Sequence, residues 1–232
     1  ELFRYLERQK KPVVIALDEF QQIVEYPERN TEALLREQVQ RLRNVQFIFS
    51  GSDRRMMQAI FADGKRPFFQ ATEPLHLGAI AEEAYSTFIH RHFAAAHKRI
   101  SKDVICNGLA WCRSHTYYVQ YLFNRLYALG IKEVHEADLV RTRASILKER
   151  APEYMTLQRL LSPNQAALLI AIAKAGRVAT PTAMEFVVKH QLSALSTVRQ
   201  SLGVLVDKEL VHRTDAGYAV TDVFLGHWLA EG

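Results

Sequence analysis

The 232 residues are 48% hydrophobic and 24% charged, with ten Gly and seven Pro. This ordinary globular composition excludes a collagen-like, disordered or coiled-coil chain. Charges interrupt every apolar run before it reaches the roughly 18 residues that span a bilayer. The chain begins with neither Met nor a basic-then-apolar leader, and its only cysteines, Cys106 and Cys112, are too few for a disulfide framework. We therefore expect a soluble cytoplasmic protein with two reduced thiols and no membrane contact.

The distribution of charge bears on whether the chain binds nucleic acid. The net charge is +5 and the pI is near 9.2. Residues 1–77 contain 12 Lys/Arg against 11 Asp/Glu, residues 78–155 contain 11 against 8, and residues 156–232 contain 7 against 6. A phosphate backbone is bound by basic side chains that are concentrated on one face. The diffuse surplus is therefore weak evidence for DNA binding.

Residues 1–77 alternate helix and strand, which predicts part of an α/β core. The run from Val13 to Leu17 is apolar and β-branched, as in a strand that is buried on both faces of a parallel sheet. A helical pattern at Thr31–Arg43 and a second strand at Val45–Ser50 complete a βαβ unit. The other predicted elements are the end of a helix at 2–6, a helix at 54–61 and an edge strand at 72–77.

Residues 78–155 predict an all-helical subdomain without strands. Apolar side chains recur at helical spacing in four segments, and Ser101 is a suitable N-cap for the second of them. We expect the fourth helix to end near Glu149, because Pro152 follows. The four predicted helices are 80–98, 101–112, 117–129 and 136–149.

Residues 156–232 show the pattern of a winged-helix domain. Ser162 and Pro163 begin a helix that Gly176 ends, and further helices are predicted at 181–190 and 194–208. Two short strands then flank a turn at Asp215–Gly217, which predicts a β-hairpin. Three helices followed by a hairpin are the winged variant of helix-turn-helix. The predicted fold class is thus mixed α/β followed by all-α and winged-helix parts.

The strongest chemical signal is the acid pair Asp18-Glu19, which directly follows the first strand. Ligands of doubly wound sheets bind at the carboxyl ends of the strands. A nucleoside-triphosphate hydrolase needs one carboxylate there to organise hydrated magnesium and a second to orient or deprotonate the attacking water. The alternative is that the two acids merely solvate the end of the strand.

Several segments together resemble the AAA+ and STAND-type P-loop ATPases, in particular the prokaryotic archaeal-type ATPase family. Residues 13–19 resemble the Walker B motif, and residues 47–54 are similar to the sensor 1 strand. Residues 111–122 resemble a segment of the family's helical lid, although Arg113-Ser114 replaces a Gly pair and Thr116 replaces Pro. Residues 161–228 resemble the winged helix that follows the lid. The resemblance implies an α/β ATPase core at 1–77, a lid at 78–155 and a winged helix at 156–232.

The resemblance also implies an ATPase motif that these residues do not contain. A P-loop, or Walker A motif, has the pattern Gly-x-x-x-x-Gly-Lys-Ser/Thr. The nearest segment, around Gly64-Lys65, has Ala59 in place of the first Gly and Arg66 in place of the hydroxyl residue. In the family the P-loop precedes Walker B, so we expect the sequence to be a C-terminal fragment that is inactive alone. The enzyme class, ATP hydrolase, thus refers to the intact protein.

The resemblance assigns roles to individual residues of an ATP- and Mg-dependent site. Asp18 corresponds to the magnesium-organising acid and Glu19 to the catalytic base. Ser50 or Ser52 corresponds to the sensor 1 polar group, and Arg54 to an arginine near the γ-phosphate. The remaining two residues, which would line the lid side of the nucleotide site, are His115 and Tyr117. The alternative role is capping of the turn for the two serines and of the loop for His115. For Arg54 the alternative is a solvated residue at the start of a helix.

The winged helix leaves three functions open. Contact with double-stranded DNA would use the exposed face of its third helix and the wing, through the candidate residues Ser196, Thr197, Arg199, Gln200 and Arg213. The domain could instead pack on the ATPase core as a regulatory element or bind a protein partner. The alternative functions are therefore a DNA-binding regulator and a protein-interaction scaffold, and an oligomer is compatible with each of them.

Overall fold

The computed structural model describes residues 1–28, 30–214 and 216–232, and the side chain of Arg54 lies outside this description. The chain divides into two compact units, Glu1–Leu77 and Gly78–Gly232. No helix of the described residues is both long and apolar enough to cross a membrane. The predicted boundary at residue 155 falls within a helix of the second unit, so the division into lid and winged helix stays a prediction.

The first unit contains the predicted βαβ arrangement. Its two strands are parallel and in register from Val13 opposite Val45 to Leu17 opposite Phe49. A short 3-10 helix follows the acid pair, between the first strand and the next helix. The elements are α1 (Leu2–Glu7), β1 (Val13–Leu17), the 3-10 helix (Phe20–Glu25), α2 (Thr31–Arg41), β2 (Val45–Phe49) and α3 (Arg54–Ala62).

The prediction that β1 is buried on both faces is wrong for the unit as described. Burial alternates along both strands, and Val14 and Ile48 are 59% and 48% exposed. The physical reason is that the described unit covers only one face of this two-stranded sheet. On the covered face, Phe49 packs with Phe20, Phe61 and Phe68 at ring-centroid distances of 4.3–5.7 Å.

The predicted edge strand at 72–77 is also wrong. The segment is irregular, and Leu75 and Leu77 are 84% and 83% exposed. Both side chains lie two residues apart, as on one face of a strand, but nothing in the unit covers that face. Alternation of apolar residues therefore fails to specify a strand where there is no surface to bury it against.

The first half of the second unit is helical, with one small sheet that sequence analysis missed. Arg99 and Ile100 pair in parallel with Glu133 and Val134, and the two segments are too short to produce a strand pattern. Ser101 caps its helix as predicted, since its Oγ accepts a hydrogen bond from the Val104 amide. The elements are α4 (Glu82–Ala95), β3 (Arg99–Ile100), α5 (Lys102–Trp111), α6 (Thr116–Ala128), β4 (Glu133–Val134) and α7 (Glu136–Arg159).

The helix α7 continues through Pro152, contrary to the prediction that it ends near Glu149. A proline within a helix removes one hydrogen bond and costs about 3 kcal/mol. Buried side chains on both sides of the proline, Leu147 and Tyr154, offset this cost. Tertiary packing therefore overrides the local signal.

The second half of this unit has the helix and hairpin order of a winged helix. The hairpin strand that contains Tyr218 also forms an isolated antiparallel bridge with Val178, which adds a third segment to the small sheet of the wing. The second helix begins at Met184, three residues later than predicted, and the predicted turn residue Asp215 lies outside the described residues. The elements are α8 (Pro163–Ala175), α9 (Met184–Lys189), α10 (Leu195–Asp207), β5 (Val211–Thr214), β6 (Gly217–Val220) and α11 (Val223–Glu231).

One hydrophobic core joins the helices of the second unit. It extends from Tyr85 on α4 to Leu229 on α11 without a break. The contact at its centre is aromatic: Phe224 of α11 lies 4.7 Å from the ring of Tyr118 and 5.0 Å from that of Trp111. The helix α11, which sequence analysis did not predict, thus holds the winged helix to α5 and α6.

Candidate functional site

The acid pair of the first unit lies where β1 and β2 end side by side. The amide of Ser50 donates to the carbonyl oxygen of Leu17 at 2.9 Å, and the amide of Phe20 donates to that of Ser50 at 2.9 Å. The first hydrogen bond joins the ends of the two strands, and the second joins the residue after Glu19 to Ser50. Asp18 and Glu19 therefore lie beside the start of the β2–α3 loop. The parallel register therefore brings together the two segments that sequence analysis singled out.

Asp18 is held by two donors on one carboxylate oxygen. The Ser50 hydroxyl donates to its Oδ1 at 2.7 Å, and the Glu19 amide donates to the same oxygen at 3.0 Å. These hydrogen bonds, with Ser50 the larger cause, lower the pKa of Asp18 below its ordinary value. The carboxylate is exposed and ionised at neutral pH, as a magnesium-organising acid must be.

Glu19 adopts a left-handed backbone conformation with φ 48° and ψ 42°. Such a conformation is uncommon for a residue other than glycine and is found preferentially at functional sites. Its carboxylate accepts a hydrogen bond from the Ser52 hydroxyl at 3.1 Å and a second from the side-chain amide of Gln21. The turn and these two donors bring Glu19 to the same edge of the sheet as Asp18.

The structure thus brings together four predicted residues, Asp18, Glu19, Ser50 and Ser52. The fifth, Arg54, begins α3 after the N-cap Asp53, whose carboxylate accepts from the Met56 amide at 2.8 Å. The Arg54 side chain lies outside the described residues, so its predicted place near a γ-phosphate stays a prediction.

The donor set of this edge suits magnesium that is bound partly through water and phosphate. No group of three or more His, Cys, Asp or Glu residues that could hold a metal occurs in the described part of the chain. Magnesium is ordinarily bound by one or two carboxylates together with waters and phosphate oxygens. Two adjacent carboxylates at a strand end meet that requirement, whereas an all-protein metal cage would not fit here.

Sequence analysis missed Gln21. It lies on the 3-10 helix, is 4% exposed, and donates to the carboxylate of Glu19. A glutamine two residues after an acid pair gives little signal, because its burial is visible only in the folded structure.

The two predicted lid residues lie in the second unit. His115 is exposed and is the N-cap residue of α6; its ring meets that of Tyr118 edge-on, with the ring centroids 5.0 Å apart. Tyr117 is 51% exposed, accepts a hydrogen bond from Arg150 at 3.0 Å, and lines a surface groove of about 280 Å³ on α6. Their predicted contact with nucleotide remains untested by this geometry.

The loop that precedes α6 is strained at two consecutive residues. Arg113 and Ser114 both have φ 52°, in the left-handed region that favours glycine. The guanidinium of Arg113 donates to the carbonyl oxygen of Val220 on β6 at 3.3 Å, which holds the loop on the wing. Glycine at either position would adopt this conformation without strain.

The predicted DNA-binding residues form an exposed surface of the winged helix. Ser196, Arg199 and Gln200 are exposed on α10, and Thr197 is partly buried. Arg213 is exposed on β5, with its guanidinium 5.7 Å from the ring centroid of Tyr218. These positions are compatible with contacts to phosphate or base edges, and the role itself stays a prediction.

Comparison with protein families supports the assignment of the C-terminal part. Residues 152–231 match the family model described as a probable winged helix domain. No curated protein matches the sequence.

Comparison with solved structures identifies the fold. The Walker-type ATPase PABY2304 of Pyrococcus abyssi superposes with a TM-score of 0.55 and 19% identity, over 93% of this chain and 62% of that one. A RuvB mutant of Thermotoga maritima superposes with a TM-score of 0.51 and 13% identity, over 99% of this chain and 74% of that one. This chain therefore spans less than two thirds of the length of the Pyrococcus protein. At these identities the likeness shows the fold alone, which is P-loop ATPase-like, mixed α/β with a helical majority and a C-terminal winged helix.

Proposed function

We propose that this chain supplies the Walker B acids, the lid and the winged helix of a magnesium-dependent ATPase of the STAND-like branch. The observation that carries the proposal is the meeting of Asp18 with Ser50 and of Glu19 with Ser52 at the carboxyl ends of two parallel strands. This is the edge at which α/β sheets bind their ligands. The fold neighbours, of which one is a Walker-type ATPase, support the same class.

Each carboxylate has a distinct part in this proposal. Asp18 presents an ionised carboxylate whose Oδ1 is fixed by two donors, so that its other oxygen faces metal-bound water. Glu19 accepts both of its hydrogen bonds on Oε2, so that Oε1 is the oxygen that orients and deprotonates the attacking water. When bound, magnesium and the triphosphate supply charge neutralisation and the leaving group.

The 232 residues contain no P-loop motif, so the proposal assigns the phosphate-cradling amides to a segment outside them. Positioning and electrostatic stabilisation provide nearly all of phosphoryl-transfer catalysis. We therefore propose that this chain alone does not hydrolyse ATP. In the polypeptide that includes the P-loop, hydrolysis would be coupled to movement of the lid and winged helix.

The test compares this chain with the complete product of its gene. We expect magnesium-dependent ATP hydrolysis by the complete product, and a loss of about 10²- to 10⁴-fold in kcat for Glu19→Gln, because the general base is removed. Asp18→Asn should raise the magnesium concentration that gives half of the maximal rate, because the variant loses an anionic oxygen that organises the hydrated ion. The matched control is Glu25→Gln, an exposed acid on the 3-10 helix, which should leave the rate unchanged.

Two results would contradict the proposal. One is ATP turnover by the 232-residue chain that Glu19→Gln abolishes, since the P-loop would then be dispensable. The other is a complete product that hydrolyses ATP equally well with and without Glu19→Gln.

The exposed residues of α10 support a second candidate function, namely contact with duplex DNA. Arg199 and Gln200 point to solvent on the helix that would enter the major groove, and Arg213 lies exposed on the wing. Filter binding at two salt concentrations should then show an affinity that falls with salt and is weakened by Arg199→Ala. Binding of a protein partner without salt-dependent DNA binding would favour the scaffold function instead.

A further inference from the structure

Gln21 is the one uncharged polar residue with a large side chain among the buried polar residues of the described chain. It is 4% exposed and lies in the first turn of the 3-10 helix that follows the acid pair. Burial of a primary amide is unfavourable unless both its donor and its acceptor find partners. The contacts of this amide therefore indicate why a glutamine stands at this position.

The donor side of the amide is used on Glu19. The Nε2 of Gln21 donates to Oε2 of Glu19, the same oxygen that accepts from the Ser52 hydroxyl. Two donors on one oxygen fix the rotation of the carboxylate and direct Oε1 away from the protein donors. The reversed amide would place its carbonyl oxygen against the carboxylate, so an ionised Glu19 fixes the orientation of Gln21 as well.

The acceptor side of the amide is left without a partner. The Oε1 of Gln21 is buried and accepts no hydrogen bond within the described residues. An unsatisfied buried acceptor costs about 1–3 kcal/mol. An apolar residue of similar size would avoid this cost, so the amide is not explained by packing.

The loop after β2 makes room for this amide. A Cβ atom on Gly51 would lie 2.3 Å from Oε1 of Gln21 and 2.7 Å from the sulfur of Met57. Gly51 does not have a positive φ, so its lack of a side chain serves space rather than backbone conformation. The sequence thus keeps a glycine where any larger residue would displace the Gln21 amide.

We propose that Gln21 is a positioning residue that, together with Ser52, holds the Glu19 carboxylate so that Oε1 faces the reacting water, with Gly51 providing the space for its amide. The proposal rests on the proposed function for the role of Glu19 as a base. The contact between the side chains of Gln21 and Glu19 can be tested without ATP hydrolysis.

The first test uses the 232-residue chain and measures the side-chain amide of Gln21 by NMR. At a constant pH near 7 the NH₂ signals should differ between the wild type and Glu19→Gln, because a neutral amide then replaces the carboxylate that accepts from Nε2. Gly51→Ala should also move these signals, and Glu25→Gln should leave them at their wild-type positions. Gly64→Ala is the matched control for Gly51→Ala, because the added Cβ would have no neighbour nearer than 4.0 Å. Gln21 signals that are the same in Glu19→Gln and in the wild type overturn the proposal.

The second test uses the complete gene product and measures ATP turnover. Gln21→Met keeps the size of the side chain and removes the donor, and we expect kcat to fall about 10- to 100-fold while KM for ATP changes less than about twofold, as for other groups that orient a catalytic residue. Gly51→Ala should reproduce this loss and Gly64→Ala should not.

The variant Gln21→Glu separates positioning from packing. Glutamate nearly keeps the size of the side chain and places an acceptor where the donor stands, so kcat should fall at least as far as in Gln21→Met while KM for ATP changes less than about twofold. A merely structural role would lower the stability and leave kcat of the folded protein in place. Wild-type kcat in both Gln21→Met and Gly51→Ala overturns the proposal. A Glu19→Gln variant that still hydrolyses ATP refutes the proposed function instead, and the NMR test then decides on Gln21.

Discussion

The contact between α5 and α6 can be tested with two glycines that both lie within helices. A Cβ on Gly108 of α5 would lie 2.5 Å from Cζ of Phe123 and 3.4 Å from Leu122 on α6. A Cβ on Gly203 of α10 would meet nothing within 4 Å. The same substitution, glycine to alanine, is therefore made once against a buried ring and once into open space.

The two substitutions should change the free energy of unfolding differently. Alanine is favoured over glycine within a helix by about 1 kcal/mol, so Gly203→Ala should stabilise the second unit by this amount. Gly108→Ala has the same gain, but it must displace the Phe123 ring, and overpacking of a core costs about 1–3 kcal/mol. We expect it to be neutral or to destabilise by up to about 2 kcal/mol, which leaves the two variants about 1–3 kcal/mol apart.

Tryptophan fluorescence during urea unfolding measures this difference for the second unit alone, because the two tryptophans of the chain, Trp111 and Trp228, both lie in it. The double variant Gly108→Ala with Phe123→Leu should recover most of the loss attributed to the ring. Equal stabilisation by both glycine substitutions would refute the reasoning, because Phe123 would then yield to the added methyl group without cost.

Three further predictions concern single side chains. Ser50→Ala should raise the pKa of Asp18 in an NMR titration. In the wild type the folded-state pKa of Asp18 is lowered, so this hydrogen bond stabilises the fold above the ordinary pKa, and the stabilisation is lost as the pH falls through the folded-state pKa. The stability of the variant should therefore change less with pH between these two pKa values. Ser114→Gly should raise the free energy of unfolding by about 1 kcal/mol by relieving φ 52°. A thiol reagent should modify exposed Cys106 quickly in the native chain and Cys112 only after unfolding, since burial raises the pKa of Cys112 to about 12.

Elements with strong local signals could be predicted from the sequence. The helix α8 begins and ends as expected, because Ser162 and Gln165 form a capping box, Pro163 suits the first helical position, and Gly176 has the positive φ of a helix end. The strands β1 and β2 also have local signals, because each is a short β-branched or aromatic run between turns. Information of this kind lies within a few residues of the element itself.

Elements that depend on tertiary packing could not be predicted. Pro152 predicts the end of a helix, and only the burial of Leu147 and Tyr154 explains why α7 continues. The two-residue strands at Arg99 and Glu133 are too short for periodicity, and their partners lie more than 30 residues apart in the sequence. For α11 a signal existed, since Asp222 caps the helix through the amides of 224 and 225, but its sequence is apolar nearly all round and lacks a helical stripe.

The acid pair shows why a motif predicts residue types better than geometry. Successive side chains of a strand point to opposite faces, so the sequence alone leaves open whether Asp18 and Glu19 serve one ligand. In the structure the left-handed turn at Glu19, which costs about 1–3 kcal/mol, brings both residues to the same edge of the sheet. The compensating hydrogen bonds come from Ser52, across the loop after β2, and from Gln21, whose space depends on Gly51. The position of Glu19 thus depends on side chains from two separate segments, and a motif of adjacent residues contains no information about either of them.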